Sequence, residues 1–239
     1  MLRFLFSYIK SVDQDPRKKI NILAAAVVSG SLLLLSACGT EAPKDQNEKF
    51  EGYTQEIFCS EVSSNTINLH YTLKNPEDYG ITDHEVSLGS FESDPDMIKA
   101  SAENMRQSLQ GFSYEGLDLQ NRITFDILEY QAKAAEKNAD YLLYEEPLGL
   151  VSGVQTQFPV VLSEYRFYDR QDVETYLELL EMTGEYFDSL VKFEREKADA
   201  GLFMADHALD TVLEQCRAFL DMGDGNYLYS TFADRIGDV

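Results

Sequence analysis

The sequence contains no tryptophan, and only three cysteines and three histidines occur among its 239 residues. The cysteines are Cys38, Cys59 and Cys216, and the last two are too few to form a disulfide framework in a chain of this size. We therefore predict that Cys59 and Cys216 are buried free thiols, with a single disulfide as the alternative. Hydrophobic residues make up 44% of the chain, which is typical of a globular protein rather than a disordered one.

Basic residues are also scarce, since 20 Lys and Arg stand against 42 Asp and Glu. The first 38 residues hold five basic and two acidic residues, so the remainder holds 15 and 40 and carries a charge near −25. A protein of this charge repels phosphates, which argues against nucleic acid as a partner. The same charge opposes adsorption on anionic lipid through a basic patch.

Spacings that are typical of catalytic or metal sites are missing from the sequence. His84 and Glu85 begin like a helical H-E-x-x-H motif, but Leu88 stands where the second His is required. His70 and His207 have no other His three or four residues away. No Gly-rich phosphate loop, G-x-S-x-G elbow or C-x-x-C pair occurs. We therefore predict no catalytic residue, no metal site and no cofactor in this chain.

The stretch 17–38 has the pattern of a secretory signal. Three basic residues at 17–19 precede an uncharged run over 20–37, and small residues come directly before Cys38. The tetrapeptide 35–38, with the sequence LSAC, resembles a bacterial lipobox, which implies cleavage before Cys38 and a diacylglycerol on its thiol. The alternative is an uncleaved membrane helix. We predict a signal peptide at 1–37, a lipidated tether at 38–48, and attachment through Cys38 to the extracytoplasmic face of the cell membrane.

Beyond the tether, apolar residues recur at helical spacing, and period-2 runs are neither long nor repeated. The predicted fold class is all-α, an irregular multi-helix array over 49–239. The stretch 67–73 also suits a strand, but Ser64 or Asn65 can cap it as a short helix, which we favour. The other predicted helices cover about 49–62, 94–111, 118–138, 158–165, 169–200 and 206–223, with a kink or break at Gly184.

Two further predictions concern which side chains are buried. Segment 141–157 breaks the helical pattern and carries few charges, so we expect a buried or cleft-lining loop there. The candidate cleft-lining residues in and just beyond it are Gln155, Gln157, Tyr165 and Arg166. In the helix over 118–138, the residues predicted to face the core are Leu119, Ile123, Ile127, Tyr130 and Ala134.

Three blocks of the sequence resemble a known family. They are NTINLHYTL at 65–73 with Pro76 and YGI at 79–81, then EPLG at 146–149 with GVQTQFPVVLSEY at 153–165, and finally FEREKADAGLFM at 193–204. In this order they are similar to bacterial "domain of unknown function 885" proteins, and the resemblance covers nearly all of 50–220.

The resemblance implies a relation to zinc metallopeptidases of the helical gluzincin type, which are often lipoproteins. In that family the zinc-binding H-E-x-x-H-like helix lies in the C-terminal half, and the resemblance implies that this chain is the N-terminal part without it. Zinc is then expected only in that other half, and no zinc ligand is carried over to any residue here. The implied partners are the membrane and, together with the other half, peptide substrates.

Two other interpretations stay open. The chain could be a complete, non-enzymatic lipoprotein that binds peptides or a partner through the cleft predicted around 141–165. It could also be a fragment with no separate function. The coding sequence beyond position 239 separates these readings, because an open frame that contains H-E-x-x-H favours the first.

Overall fold

The computed structural model describes residues 45–82, 84–237 and 239. Within these ranges the chain forms eight α-helices and no β-strand, which confirms the predicted all-α class. The predicted signal peptide and Cys38 lie outside the described residues, whereas the last three residues of the predicted tether belong to the first helix. The helices are α1 Gln46–Ser63, α2 Thr66–Thr72, α3 Pro95–Leu109, α4 Leu119–Asn138, α5 Val154–Glu164, α6 Arg170–Asp199, α7 Asp206–Asp221 and α8 Tyr227–Ile236.

Capping side chains explain where several helices begin. Asn65 accepts a hydrogen bond from the main-chain N–H of Asn68 at 3.0 Å, which starts α2. Asp94 accepts from Asp96 at 2.9 Å and Pro95 occupies the first helical position, where its missing N–H is not needed. The helical interpretation of 67–73 is therefore confirmed, and the strand alternative is wrong.

Helix α6 is continuous over 30 residues, so the break predicted at Gly184 is wrong. A glycine inside a helix costs about 1 kcal/mol relative to alanine. Here Leu179 before it and Leu190 after it are both buried, and the burial of side chains such as these offsets that cost. The helix ends as predicted, because Gly201 follows it in the left-handed conformation with φ 73°.

Three apolar clusters form the core. One holds α1 against α2, a second holds α1 against the end of α3, and the third joins α5 to α6. Cys59 and Cys216 lie at half-buried positions and are free thiols, which confirms the prediction that they are unbridged. The most buried members of the clusters are Phe50, Val62, Leu69, Leu109, Leu117, Leu162, Tyr165, Tyr176 and Leu179.

Helix α8 was not predicted from the sequence, yet it completes the third cluster. Phe232 stacks on Tyr176 with ring centroids 5.8 Å apart. The guanidinium of Arg235 lies over the rings of Phe167 and Tyr176, and it donates to the carbonyl oxygens of Leu162, at 3.1 Å, and of Tyr165. Arg235 thereby satisfies the C-terminal carbonyls of α5, which a helix end otherwise leaves unpaired.

Helix α4 is confirmed in extent, but its predicted core-facing side is wrong. Leu119 is 76% exposed and Tyr130 is 73% exposed. The helix carries apolar residues on two sides, and the side that packs against α1 and α3 contains Phe125, Leu128 and the buried Ala132. Periodicity alone cannot show which of two apolar sides of a helix faces the core. Here the packing of α1 and α3 against one side leaves the other side exposed. That row consists of Leu119, Ile123, Ile127 and Tyr130, which we call the α4 face.

The prediction of a long loop over 141–157 is only partly correct. A 3₁₀ turn covers Ala139–Tyr144, and α5 begins at Val154, with Pro159 inside the helix. Tyr141, Tyr144 and Val151 are exposed, so the segment is not a buried loop, but Val154 and Gln157 at its end line a cleft.

Candidate functional site

A cleft of about 450 Å³ opens between α2, the turn that follows it and the start of α6. We call it the His70 cleft. Its apolar wall includes Leu69, Leu73 and the ring of Tyr165. Its polar lining includes His70, Lys74, Glu77, His84, Asp169 and Asp172.

The cleft contains a pair formed by a histidine and a carboxylate. Nδ1 of His70 lies 3.5 Å from Oδ1 of Asp172, and the two side chains are 9% and 20% exposed. Oδ2 of Asp172 accepts the main-chain N–H of Tyr168 at 2.8 Å, and Asp169 accepts the N–H of Asp172 at 3.1 Å. This capping box fixes the first turn of α6 and holds Asp172 with Oδ1 beside His70.

The ring of His70 is held by aromatic neighbours. It stacks on Tyr165 with centroids 4.0 Å apart and an interplanar angle of 15°, and Tyr71 meets it edge-on. Burial lowers the pKa of His70, and this outweighs the charge of Asp172 and the carbonyl of Arg166, which both raise it. Burial, with Asp172 nearby, raises the pKa of the Tyr165 hydroxyl. At neutral pH the cleft therefore holds a neutral imidazole beside Asp172.

The pair has the groups of a general base but not the access that such a base requires. With Nδ1–H directed at Asp172, Nε2 is the free acceptor, as in hydrolytic triads. Nε2 of His70, however, is buried and has no hydrogen-bond partner among the described residues. A substrate atom must reach within hydrogen-bond distance of a base, and the buried Nε2 does not allow this. In this geometry His70 is therefore not placed to take a proton from a substrate.

A second cleft, of about 210 Å³, lies near the start of α5. Its lining is mainly apolar and includes Ile67, Leu88, Phe158 and Tyr186, with Gln157 at its edge. Helix α2 contributes to both clefts, because Ile67 lines this one and His70 lines the other.

The four candidate cleft residues do not share one site. Tyr165 lines the His70 cleft and Gln157 lines the second cleft. Gln155 lines neither, because its side-chain amide donates to the carbonyl of Gly149 at 2.5 Å and to Gln215 at 2.9 Å. Arg166 is exposed, and its main-chain carbonyl lies near His70.

Sequence reasoning missed the pairing of His70 with Asp172. His70 has no other His three or four residues away, and Asp172 lies in the first turn of the helix predicted over 169–200. The ring nitrogen and the carboxylate meet because α2 packs beside the first turn of α6. No spacing in the sequence indicates this pair, because the two residues are distant in the chain and meet only in the folded protein.

A buried lysine joins the second and third blocks of the family resemblance. Lys197 is 1% exposed, and its ammonium lies 2.8 Å from Oε1 of Glu146 and donates to the carbonyl of Glu145. Both carboxylate oxygens of Glu194 are buried without a hydrogen-bond partner among the described residues. Burial raises the pKa of Glu194, and the charge of Lys197 lowers it in part. We interpret this Lys197 cluster as a tie between α6 and the loop before α5.

The described residues contain neither a metal-binding cluster nor a membrane-spanning helix. No group of three or more His, Cys, Asp or Glu residues in these ranges is arranged to hold a metal ion. None of the helices in them combines the length and the hydropathy needed to cross a membrane.

The described residues form an all-α fold that contains the His70 cleft and the second, mainly apolar cleft. The model of a protein family described as "Bacterial protein of unknown function (DUF885)" matches residues 78–236. The match covers more than half of the chain, so the chain belongs to this family. Comparison with curated proteins and with solved structures finds no match.

The family match differs in extent from the resemblance drawn from the sequence. The second and third blocks lie inside 78–236, but the first block overlaps it only at 79–81. The match also extends past position 220 to include α8. His70 thus precedes the matched region, whereas Asp172 lies within it.

Proposed function

We propose that this protein is a lipid-anchored member of the family and that residues 49–239 form the non-catalytic helical part of a zinc-peptidase-like protein. The LSAC sequence at 35–38 supports the anchor, and family membership together with the sequence resemblance supports the peptidase relation. In this proposal zinc is bound by a C-terminal half that carries the H-E-x-x-H-like helix, and peptides are the substrates.

The α4 face is the observation that carries this proposal. Its four side chains follow one another at helical spacing, so they form one apolar row along the helix. An exposed apolar row of this kind marks a surface that packs against another body. We assign the zinc-binding half as that body.

The charge of α4 fits a packing surface. Three basic and three acidic residues balance within α4, although the chain beyond Cys38 is strongly acidic. A partner that approaches α4 therefore meets no net charge on that helix.

Anchoring through Cys38 is consistent with the charge of the rest of the chain. A charge near −25 is repelled by anionic headgroups, so the protein has to be held by its lipid. A single acyl chain gives only marginal binding, so stable attachment requires the multiple chains of a lipoprotein. The proposed location is the extracytoplasmic face of the cell membrane.

Light scattering at low and high salt tests the role of the α4 face. Salt screens charge repulsion within about 8 Å at physiological strength, so we expect the purified chain to associate more as salt rises. Leu119→Gln with Ile127→Gln should abolish this association. Val151→Gln, in an exposed loop outside α4, is the control and should leave it unchanged.

Two results would overturn the assignment of the α4 face. One is a monomer with a sharp melt at both salt concentrations. The other is a stoichiometric dimer at both concentrations, which would identify a second copy as the body that covers this face.

The alternative is a non-enzymatic lipoprotein that binds peptides or another partner. The His70 cleft is the observation that favours it, because its volume lies within the range of small-molecule sites. This alternative predicts a cooperative monomer whose melting does not depend on salt.

A further inference from the structure

We propose that the Lys197 cluster is a pH-dependent switch that holds or releases the loop over 145–153, which precedes α5. While Glu194 is neutral, the ammonium of Lys197 holds the loop through Glu146. When Glu194 is ionised, the ammonium pairs with Glu194 instead and the loop is loosened. The inference concerns a conformational change within the helical part and does not rest on the proposed function.

The carboxyl group of Glu194 is the feature that the contacts in this structure leave unexplained. Glu194 is 7% exposed, and neither of its side-chain oxygens has a hydrogen-bond partner among the described residues. Buried polar groups are nearly always hydrogen-bonded, so this exception requires an explanation. Lys197 follows Glu194 by three residues in α6, a spacing that places two side chains next to each other on a helix. A second state, in which these two side chains pair, would satisfy the carboxylate.

The ammonium of Lys197 has one N–H group left for such a pair. A lysine ammonium carries three donors. One meets Oε1 of Glu146 at 2.8 Å, and another meets the carbonyl of Glu145. The lysine is 1% exposed, so its third donor is shielded from bulk water. Glu194 is therefore an additional acceptor for a donor that is not yet used.

The two carboxylates differ in what they lose without the ammonium. The side chain of Glu146 is 58% exposed, so water can take the place of the ammonium there. An ionised Glu194 is buried, and a buried charge without a partner is strongly unfavourable. The ammonium should therefore pair with Glu194 whenever Glu194 is ionised, and stay with Glu146 whenever Glu194 is neutral.

The charges around Glu194 set the pH range of the switch. Burial raises the pKa of Glu194 most, the charge of Lys197 on the same helix lowers it, and the charge of Glu146 from the loop raises it. The turn Ala139–Tyr144 and the segment around Phe91 also pack against α6, but no charge from either affects this pKa. Glu194 is therefore neutral at low pH and becomes ionised only above the ordinary glutamate value of 4.5.

The first half of the loop is the part that the switch releases. Side-chain amides of α5 and α7 hold the carbonyls of Gly149 and Leu150, so the second half is fixed without the lysine. The first half is held by Lys197 and by a hydrogen bond from the N–H of Val154 to the carbonyl of Pro147 at 2.9 Å. Val154 begins α5 and lines the second cleft, so the released segment adjoins that cleft.

Hydrogen exchange of the purified full chain, followed by mass spectrometry from about pH 4 to about pH 8, tests the switch. The peptide over 142–154 contains the hydrogen-bonded N–H groups of Glu145 and Val154, at the two ends of the segment. Protection factors are compared because they correct for the direct effect of pH on exchange. We expect protection of this peptide to fall several-fold as Glu194 becomes ionised, and protection of α4 to stay constant.

Matched variants assign the change to Glu194. Glu194→Gln keeps a neutral side chain of the same shape, so the loop should stay protected at every pH. Glu185→Gln removes an exposed carboxylate from the same helix and should behave as the native protein does. Glu146→Gln should move the transition to lower pH, because the charge of Glu146 raises the pKa of Glu194.

Three results would overturn the proposal. The first is constant protection of the loop in the native protein over this pH range. The second is the same fall in Glu194→Gln as in the native protein. The third is a fall that α4 shares, because it would indicate general unfolding. If Glu194→Gln does not fold by circular dichroism, Glu146→Gln decides, and an unchanged transition pH in that variant would also overturn the switch.

Discussion

The imidazole of His70 and the carboxylate of Asp172 lie 3.5 Å apart and join α2 to the first turn of α6. The residue from α2 precedes the region that matches the family, and the residue from α6 lies within it. The His70 cleft is therefore built from both regions. Asp172 serves both in the capping box of Asp169 and as the partner of His70, so the start of α6 and the cleft share one side chain.

The stability of the protein should depend on the protonation of His70. Its pKa is lowered on folding, so the unfolded chain binds a proton more readily than the native one. Stability is then fully present above the ordinary histidine pKa of about 6.5 and decreases as pH falls from there towards the folded value. We expect the denaturation midpoint to decrease as the pH is lowered from about 7 to about 5.5. In His70→Gln the decrease should be smaller.

The control for this pH dependence is His207→Gln, because His207 is exposed. The midpoint of His207→Gln should depend on pH as that of the native protein does. If the midpoint of His70→Gln has the same dependence on pH as the native protein, other groups cause the loss of stability. The groups near His70 are the carboxylate of Asp172, the rings of Tyr71, Tyr165 and Tyr168, and the charge of Arg166. Glu194 acts in the opposite sense, because its raised pKa makes stability fall as pH rises.

Lys197→Met should destabilise the fold. The ammonium of Lys197 is buried but its ion-pair partner Glu146 is 58% exposed, so we expect a loss below the roughly 3–5 kcal/mol that is typical of breaking a fully buried pair. Here Glu194 would lose its nearby cation, and the carbonyl of Glu145 would lose a donor. Urea denaturation measures the loss. Lys192→Met removes an exposed lysine from the same helix and should change stability little.

A second substitution separates charge from packing in this cluster. Adding Glu194→Gln to Lys197→Met should recover part of the stability, because no buried charge is then left unpaired. If the double variant is less stable than Lys197→Met, the carboxylate is not the group that Lys197 compensates.

Lipidation should depend on Cys38. Cys38→Ala is expected to leave the precursor uncut at this position and without an acyl chain, because the thiol is the acceptor. Mass spectrometry of membrane and soluble fractions measures both effects. Cys59→Ala, which removes a thiol from the helical part, should leave lipidation intact. An unmodified Cys38 in the native protein would remove the basis of the proposed location.

Zinc binding is expected to be no tighter than that of a generic acidic surface, and the purified chain should cleave no peptide. This follows from the missing ligand spacings in the sequence. Zinc content after dialysis measures the first point. Stoichiometric zinc that is lost in His70→Gln or His84→Gln would contradict the prediction and move the metal into the His70 cleft.

Local signals in the sequence predicted much of the fold. Asp94 with Pro95 marked the start of α3, and Gly201 marked the end of α6, because caps act over a few residues. The exposed side of α4 and the presence of α8 were not predicted. Both are decided by contacts with helices distant in sequence, and α8 is a short helix that follows a glycine-containing turn.

The candidate site was predicted less well than the fold. Tyr165 lies in the His70 cleft, but Gln155, Gln157 and Arg166 are separated by packing that no spacing rule describes. The pair of His70 and Asp172 forms only when α2 meets α6, so its chemistry is a property of the tertiary structure.

Helix α6 is uninterrupted, so its number of residues sets the distance between its two ends. Thirty residues at about 1.5 Å each make a rod of roughly 45 Å, with the His70 cleft at one tip and Lys197 close to the other. Gly184, midway along, has open space where a Cβ would be, so Ala fits there and should stiffen the rod. The distance between spin labels at the two ends of α6 would measure how much the native helix bends at this glycine. It would therefore show whether a movement of α6 at the His70 cleft also moves the loop that Lys197 holds.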